Sequence, residues 1–159
     1  MSNFEIVRRS PREHRNLTSP VVASAIGIAF QESATAGLAE LSDGIKPLAG
    51  FATRAVVVGG PTLADNVFAG RLELPFTAGK EISLEHGEEI EFEGAGYIAA
   101  SGGGGAITSA TALESDLSFV GGKVCVRDAG TQLAFYRLKE IMTPETPGAL
   151  RIRVAQIAL

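Results

Sequence analysis

The acidic residues around position 86 come closest, by type and spacing, to a chemical site. Seven residues carry a carboxylate or an imidazole within a short stretch: Glu81, Glu85, His86, Glu88, Glu89, Glu91 and Glu93. Such groups together can hold a divalent cation. However, Glu89, Glu91 and Glu93 alternate with Ile90 and Phe92, which is typical of the solvent-facing side of a strand. We therefore expect a solvated face and no metal site.

Groups for covalent catalysis are sparse. The two histidines, His14 and His86, lie far in sequence from any serine or cysteine in a nucleophile-like setting. The four glycines at 102–105 lack the continuation of a phosphate-binding loop, because Ala106 follows them and no Gly-Lys-Ser/Thr does. The single cysteine, Cys125, falls in an apolar run and is expected to be a buried thiol. We predict a protein that is not an enzyme, with no catalytic residue and no cofactor.

Composition indicates a folded, mildly acidic domain. The chain has 159 residues, of which 45% are hydrophobic and 20% charged, and its formal net charge is −4. These values exclude disorder across the whole chain. They also argue against a nucleic-acid partner, since phosphate binding requires clustered Lys and Arg. No apolar stretch approaches membrane-spanning length, so we expect no membrane association and synthesis in the cytoplasm.

The first 20 residues differ from the rest. They carry four arginines: Arg8, Arg9, Arg12 and Arg15. Against two glutamates, these arginines leave the segment with a charge of about +2 and the remainder with about −6. Prolines at 11 and 20 block a continuous helix. We predict an extended N-terminal arm over 1–20, disordered until its arginines bind an acidic partner, and a single β-rich domain over 21–159; the alternative for 1–20 is a solvated tail.

Short apolar runs between glycines and turn residues predict an all-β body. Pairs of apolar residues at two-residue spacing mark strand faces: Leu72 and Leu74, Ile82 and Leu84, and Ile90 and Phe92. Gly87 separates the last two pairs and can adopt a positive φ, which predicts a β-hairpin over 81–93. In that hairpin the four apolar side chains are buried and the glutamates are exposed.

Further segments extend this pattern. Residues 50–58 predict a strand that ends at the Gly-Gly-Pro of 59–61, and 150–157 predict an alternating terminal strand. The stretch 21–30 fits a strand or a short helix, and 132–142 fits a strand, which we favour, or a helix. This spacing of strands and turns is typical of a small sandwich or a barrel-like body.

Three segments carry a resemblance to a known family. The Gly-Phe-Ala of 50–52, the Gly-Gly-Lys-Val-Cys-Val of 121–126 and the terminal strand from Leu150 to Ile157 resemble tailed-bacteriophage capsid decoration proteins, also called head-stabilising or cement proteins. The resemblance covers about residues 20–159 in texture and rests on no invariant motif. It implies a β-rich homo-oligomer, a dimer or trimer, that binds the major capsid protein at capsomer junctions on the virion exterior. It also implies a shell-stabilising role, attachment through an N-terminal arm, and no catalytic residues.

Two other functions stay open. One is a carbohydrate- or receptor-binding β module of a phage fibre, which would use exposed aromatic side chains to stack on sugar rings. The chain is poor in such residues, with 6% aromatics and no Trp. The other is an enzyme of unrecognised type.

Overall fold

The computed structural model describes residues 3–10, 15–18, 26–52, 56–57, 76–77 and 81–157. The predicted strand face at Leu72 and Leu74 and the predicted stop at 59–61 lie outside these residues. The described part of the chain contains strands and turns but no helix, which confirms the predicted all-β fold.

Thirteen strands form in the described residues, and most of them are short. They are β1 (Asn3–Arg9), β2 (Arg15–Thr18), β3 (Ala29–Glu32), β4 (Ala39–Leu41), β5 (Leu48–Ala52), β6 (Val56–Val57), β7 (Phe76–Thr77), β8 (Glu81–Glu85), β9 (Gly87–Glu93), β10 (Asp116–Val120), β11 (Lys123–Val126), β12 (Tyr136–Met142) and β13 (Arg151–Gln156). The favoured strand within 132–142 and the predicted terminal strand are therefore confirmed as β12 and β13.

Two antiparallel sheets make up the body. The first has six strands in the order β1-β9-β13-β12-β10-β11, and the second has five in the order β2-β8-β5-β3-β4. The second sheet curls, because Thr18 at the end of β2 bridges to Leu38 beside β4 and its N–H donates to the carbonyl of Gly37 at 2.8 Å. The short strands β6 and β7 form a separate parallel pair.

The core lies between the sheets and is centred on Phe51 of β5. The ring centroid of Phe51 lies 5.4 Å from that of Phe4, 6.0 Å from Phe92, 5.7 Å from Phe119 and 6.1 Å from Tyr136. All four partner rings belong to the first sheet. Tilted and edge-to-face contacts of this kind add to the free energy gained by burying the rings, so this cluster joins the two sheets.

Strands β8 and β9 do not form the predicted hairpin. β8 pairs with β2 and β5 in the second sheet, whereas β9 pairs with β1 and β13 in the first. A single residue, His86, separates the two strands, so the chain bends from one sheet into the other instead of reversing. Gly87 lacks the predicted positive φ, and a Cβ atom there would lie 2.6 Å from the side chain of Ile90. The glycine is required for space beside the bend.

Burial along 81–93 agrees with the sequence for the apolar residues and disagrees for two glutamates. Each apolar side chain is at most 1% exposed: Ile82, Leu84, Ile90 and Phe92. Glu91 and Glu93, predicted to face solvent, are 7% and 2% exposed. The prediction was wrong for these two because other parts of the chain cover that face of β9.

The predicted arm over 1–20 is extended but belongs to the body. β1 pairs antiparallel with β9, and β2 pairs antiparallel with β8. Between them the N–H of Ser10 donates to the carbonyl of His86 at 3.2 Å. The segment therefore follows residues 81–93 around the same bend, with one strand in each sheet.

Apolar side chains of this segment complete the core. The ring of Phe4 lies 5.6 Å from that of Phe92 and 5.7 Å from that of Tyr97, and Leu17 is 3% exposed. The expectation that the segment is disordered without a partner is thus not met for its described residues, because their burial offsets the cost of ordering them.

Gln132 connects the loops at one end of the body. Its Nε2 donates to the carbonyls of Asp43 at 2.9 Å and Phe119 at 2.8 Å, and its Oε1 accepts from the N–H of Asp128 at 2.9 Å. This side chain is buried, and these bonds satisfy its donors and its acceptor. The loop after β11 is thereby held to the loop after β4 and to strand β10.

Candidate partner-binding surface

The predicted partner-binding arginines lie at and beyond the end of β1. The side chains of Arg8 and Arg9 are 64% and 75% exposed. Arg12 lies outside the described residues, and for Arg15 the structure gives the backbone position, opposite Leu84 of β8. The structure thus brings Arg8 and Arg9 together on the surface and does not place the side chains of the other two.

Acidic residues of the same chain contact these arginines. Arg8 Nε lies 2.6 Å from Glu88 Oε2, and its Nη2 lies 3.4 Å from Glu89 Oε1. Arg9 Nη1 lies 3.4 Å from Glu85 Oε1. Ion pairs between exposed side chains contribute little to stability, so these guanidinium groups remain available to a carboxylate on another protein.

The outer face of the first sheet carries an ion-pair network centred on Glu91. Its Oε2 accepts from Arg151 Nη2 at 2.7 Å, and its Oε1 accepts from Arg153 Nη2 at 2.6 Å and Nε at 3.1 Å. Burial raises the pKa of Glu91, but the hydrogen bonds and charges of the two arginines outweigh it and hold the pKa below its usual value. The network therefore fastens β9 to β13.

Glu93 has a different role on the same face. Its carboxylate accepts from the N–H of Glu145 at 3.1 Å and that of Thr146 at 2.9 Å. These hydrogen bonds lower the pKa of Glu93, with a further contribution from Arg151 and against the effect of burial. Glu93 therefore anchors the link between β12 and β13, and both glutamates have structural roles.

Removal of the Glu91 charge is expected to destabilise the protein by about 1–2 kcal/mol at pH 7. This is the usual contribution of hydrogen bonds to a charged group, lowered because solvent screens the two arginines. Because the folded pKa is depressed, this stabilisation is present above the ordinary glutamate pKa of about 4.3 and is lost as the pH falls through the folded pKa. Glu91→Gln should therefore unfold at lower urea concentration than the wild type at pH 7, and the difference should shrink at pH 3.

Glu81→Gln is the matched control, since Glu81 is an exposed residue on β8 of the other sheet. We expect it to behave like the wild type at both pH values. An equal urea midpoint for Glu91→Gln and the wild type at pH 7 would show that the ion-pair network does not stabilise the fold.

Reactive groups elsewhere in the described residues are few. Cys125 is buried, as predicted, and burial raises the pKa of its thiol, which suppresses the thiolate needed of a nucleophile. No three His, Cys, Asp or Glu residues within the described ranges lie together as a metal-binding group. The part of the chain that the structure describes contains no helix long and apolar enough to cross a membrane.

An open groove of about 450 Å³ lies between the turn after β9 and the link before β13. Small and aliphatic residues line it, among them Ala99, Ala106, Ile107 and Ala149. None of its described lining residues has a charged side chain that could act on a substrate. The large exposed apolar residues of the described chain include no aromatic ring, so the sugar-stacking surface expected of a carbohydrate-binding module is not found in these residues.

Comparison with known proteins gives no relative. No family model matches the chain, and the searches of curated proteins and of solved structures found no match. The class that the fold defines is a small all-β body built from two antiparallel sheets, and a function has to be argued from its surface.

Proposed function

We propose that this chain is a head decoration protein of a tailed phage, which binds the major capsid protein at capsomer junctions and stabilises the shell from outside. The observation that carries the proposal is the pair of exposed arginines, Arg8 and Arg9, at the rim of a body whose described residues form no metal-binding group of His, Cys, Asp or Glu. A structural protein of a virion needs a stable folded body and a surface that contacts its partner, and it needs no catalytic site.

Arginine suits this role physically. Its guanidinium group binds carboxylates in a fixed planar geometry and stays charged at any physiological pH. Arg8 and Arg9 are exposed at the end of an edge strand, where a neighbouring subunit has access, and Arg12 and Arg15 follow them closely in the sequence. Each copy needs only weak binding, because many copies act on one shell and neighbouring copies reinforce each other's attachment.

The test is binding to empty shells assembled from the major capsid protein of the phage that encodes this chain. We expect the wild type to sediment with the shells and Arg8→Gln/Arg12→Gln to bind at least about tenfold more weakly, since two charged contacts are lost. Attachment should also weaken with salt once the Debye length falls below about 8 Å.

Arg137→Gln/Lys139→Gln is the matched control, since it removes two positive charges from the exposed side chains of β12. It should bind like the wild type. Equal binding by both double variants would remove Arg8 and Arg12 from the mechanism, and no binding by the wild-type protein would refute the decoration function.

A further inference from the structure

The far edge of the first sheet is covered by the same chain. Beyond β11, the Ala99 N–H donates to the carbonyl of Val124 at 2.9 Å, and the Val124 N–H donates to the carbonyl of Tyr97 at 2.8 Å. Further along, the Gly104 N–H donates to the carbonyl of Val126 at 2.8 Å. The turn residues and the glycines of 97–105 therefore satisfy the backbone of this edge, which also assigns a role to the glycine-rich loop.

The edges of the second sheet meet each other. Thr18 of β2 hydrogen-bonds to Gly37 and bridges to Leu38 in the parallel sense, where β4 begins. Curling thus brings both edge strands of this sheet together at one point. β2 and β4 have only four and three residues, and edge strands this short are poor templates for another chain.

The outer edge of β1 is different. Within the described residues, β1 pairs with β9 on one side and with no strand on the other. Its side chains alternate, so that Phe4 and Ile6 are half-buried while Glu5 and Val7 are exposed. Val7 is 44% exposed, which is high for a branched apolar residue in a strand.

The charges on this edge are self-complementary. Glu5 and Arg9 lie two residues from Val7 on either side, and the two register shifts between Ile6 and Arg9 cancel, so Arg9 returns to the register of Glu5. If two copies of β1 pair antiparallel about Val7, Glu5 of each copy lies directly opposite Arg9 of the other, and the two valines face each other. Opposite charges across an antiparallel pair stabilise it, and opposed apolar residues do so as well.

We propose that β1 pairs with β1 of a second copy of this chain, antiparallel and centred on Val7, so that the two first sheets join into one sheet across a two-fold axis. This interface is isologous, as in most protein dimers. Because it consists of one short strand per subunit, it is small, and association in the micromolar range is expected. The inference does not depend on the capsid, since it concerns the isolated protein.

Other registers lack this complementarity. Parallel pairing places Glu5 opposite the same glutamate and Arg9 opposite the same arginine. Antiparallel pairing centred on Ile6 gives longer overlap but places Glu5 opposite Val7 and leaves no ion pair. The competing interpretation is that the arginines and the register shifts of β1 beyond Ile6 protect the edge against pairing, and it predicts a monomer.

The experiment measures the oligomeric state of the full chain by sedimentation equilibrium in low salt. We expect a wild-type dimer, and for Glu5→Lys and for Arg9→Glu dissociation constants raised about tenfold, because each change replaces two attractive pairs by two repulsive ones. The double variant Glu5→Lys/Arg9→Glu restores opposite charges across the interface. Its dissociation constant should return to within about threefold of the wild-type value.

The double variant separates contact between chains from effects within one chain. Four residues along a strand span about 13 Å, so the two side chains do not pair within a subunit. Arg9→Glu also brings two carboxylates together at Glu85, and this repulsion persists in the double variant. Restored association therefore has no explanation within the subunit.

Glu81→Lys is the matched control for net charge, since it makes the same change as Glu5→Lys on a strand of the second sheet. It should dimerise like the wild type, and thermal melting should show that every variant is folded. A wild-type monomer at about 100 µM, a trimer, single variants that dimerise normally, or a double variant as weak as the singles would each overturn the proposal.

Discussion

Phe92→Ala is expected to lower the free energy of unfolding by about 3–5 kcal/mol, the usual range for a buried phenylalanine. Phe92 is 1% exposed and its ring contacts those of Phe4, Phe51 and Tyr97. Truncation therefore leaves a cavity where strand β1, the second sheet and the turn after β9 meet. For a domain of this size we expect a melting temperature lower by about 6–20 °C.

Leu113→Ala is the matched control, since Leu113 is 57% exposed in a loop of the same protein. It should change stability by no more than about 0.5 kcal/mol. Urea unfolding at pH 7 measures both variants. A cost below about 1 kcal/mol for Phe92→Ala would contradict the packing of the aromatic cluster.

Burial of the apolar residues was predictable from the sequence because the period of a strand is two. Alternation alone places Ile82, Leu84, Ile90 and Phe92 on one face, whatever strands they pair with. The same argument gives the terminal strand β13, where Ile152 and Val154 are fully buried. Local pattern is therefore sufficient for strands and for their inward faces.

Pairing between strands was not predictable in the same way. The sequence Glu85-His86-Gly87 resembles a turn, but the buried apolar residues are even-numbered on both sides of it, and His86 is in phase with them at 8% exposure. In the structure this unbroken parity belongs to a bend between two sheets, as happens at the corners of orthogonal sheet packings. A hairpin with a three-residue loop centred on Gly87 keeps the same parity, so the pattern of the sequence does not distinguish a hairpin from a bend.

The buried glutamates depended on a strand that is distant in sequence. Glu91 and Glu93 are two residues apart, and so are Arg151 and Arg153. These matching spacings place two carboxylates against two guanidinium groups when β9 and β13 pair. Glu91 and Arg151 are 60 residues apart, so their pairing is not a local property of the sequence. The matching two-residue spacings of the glutamates and arginines were nevertheless visible in it.

The prediction of a separate N-terminal arm was wrong because it gave more weight to the arginines and prolines of the segment than to its apolar residues. Its arginines suggested an arm seeking an acidic partner, and the structure shows acidic residues of the same chain beside Arg8 and Arg9. The alternation of Phe4 and Ile6 with exposed residues was the contrary signal, short but genuine. A strand of seven residues gains its stability from its neighbours, which the sequence does not identify.

Deletion of residues 2–10 is therefore expected to destabilise the protein by about 5 kcal/mol or more, a large part of the stability of a typical domain. The deletion removes strand β1 and with it the ring of Phe4, whose centroid lies 5.4 Å from that of Phe51. It also exposes the backbone of β9 and part of the surface of Phe92 to water. We expect a melting temperature far below that of the full chain, or no cooperative transition at all, when unfolding is followed by circular dichroism.

Glu5→Gln/Arg9→Gln is the matched control, because it removes two charges from β1 and keeps the strand. Both side chains are exposed, so this variant should melt within a few degrees of the wild type. The comparison separates two roles of the segment. One is the packing of Phe4 and Ile6 against the core, and the other is the charge that Glu5 and Arg9 place on the outer edge. If the deleted chain melted at the temperature of the full chain, residues 2–10 would be an appendage to the body, and the core would have to be complete without Phe4.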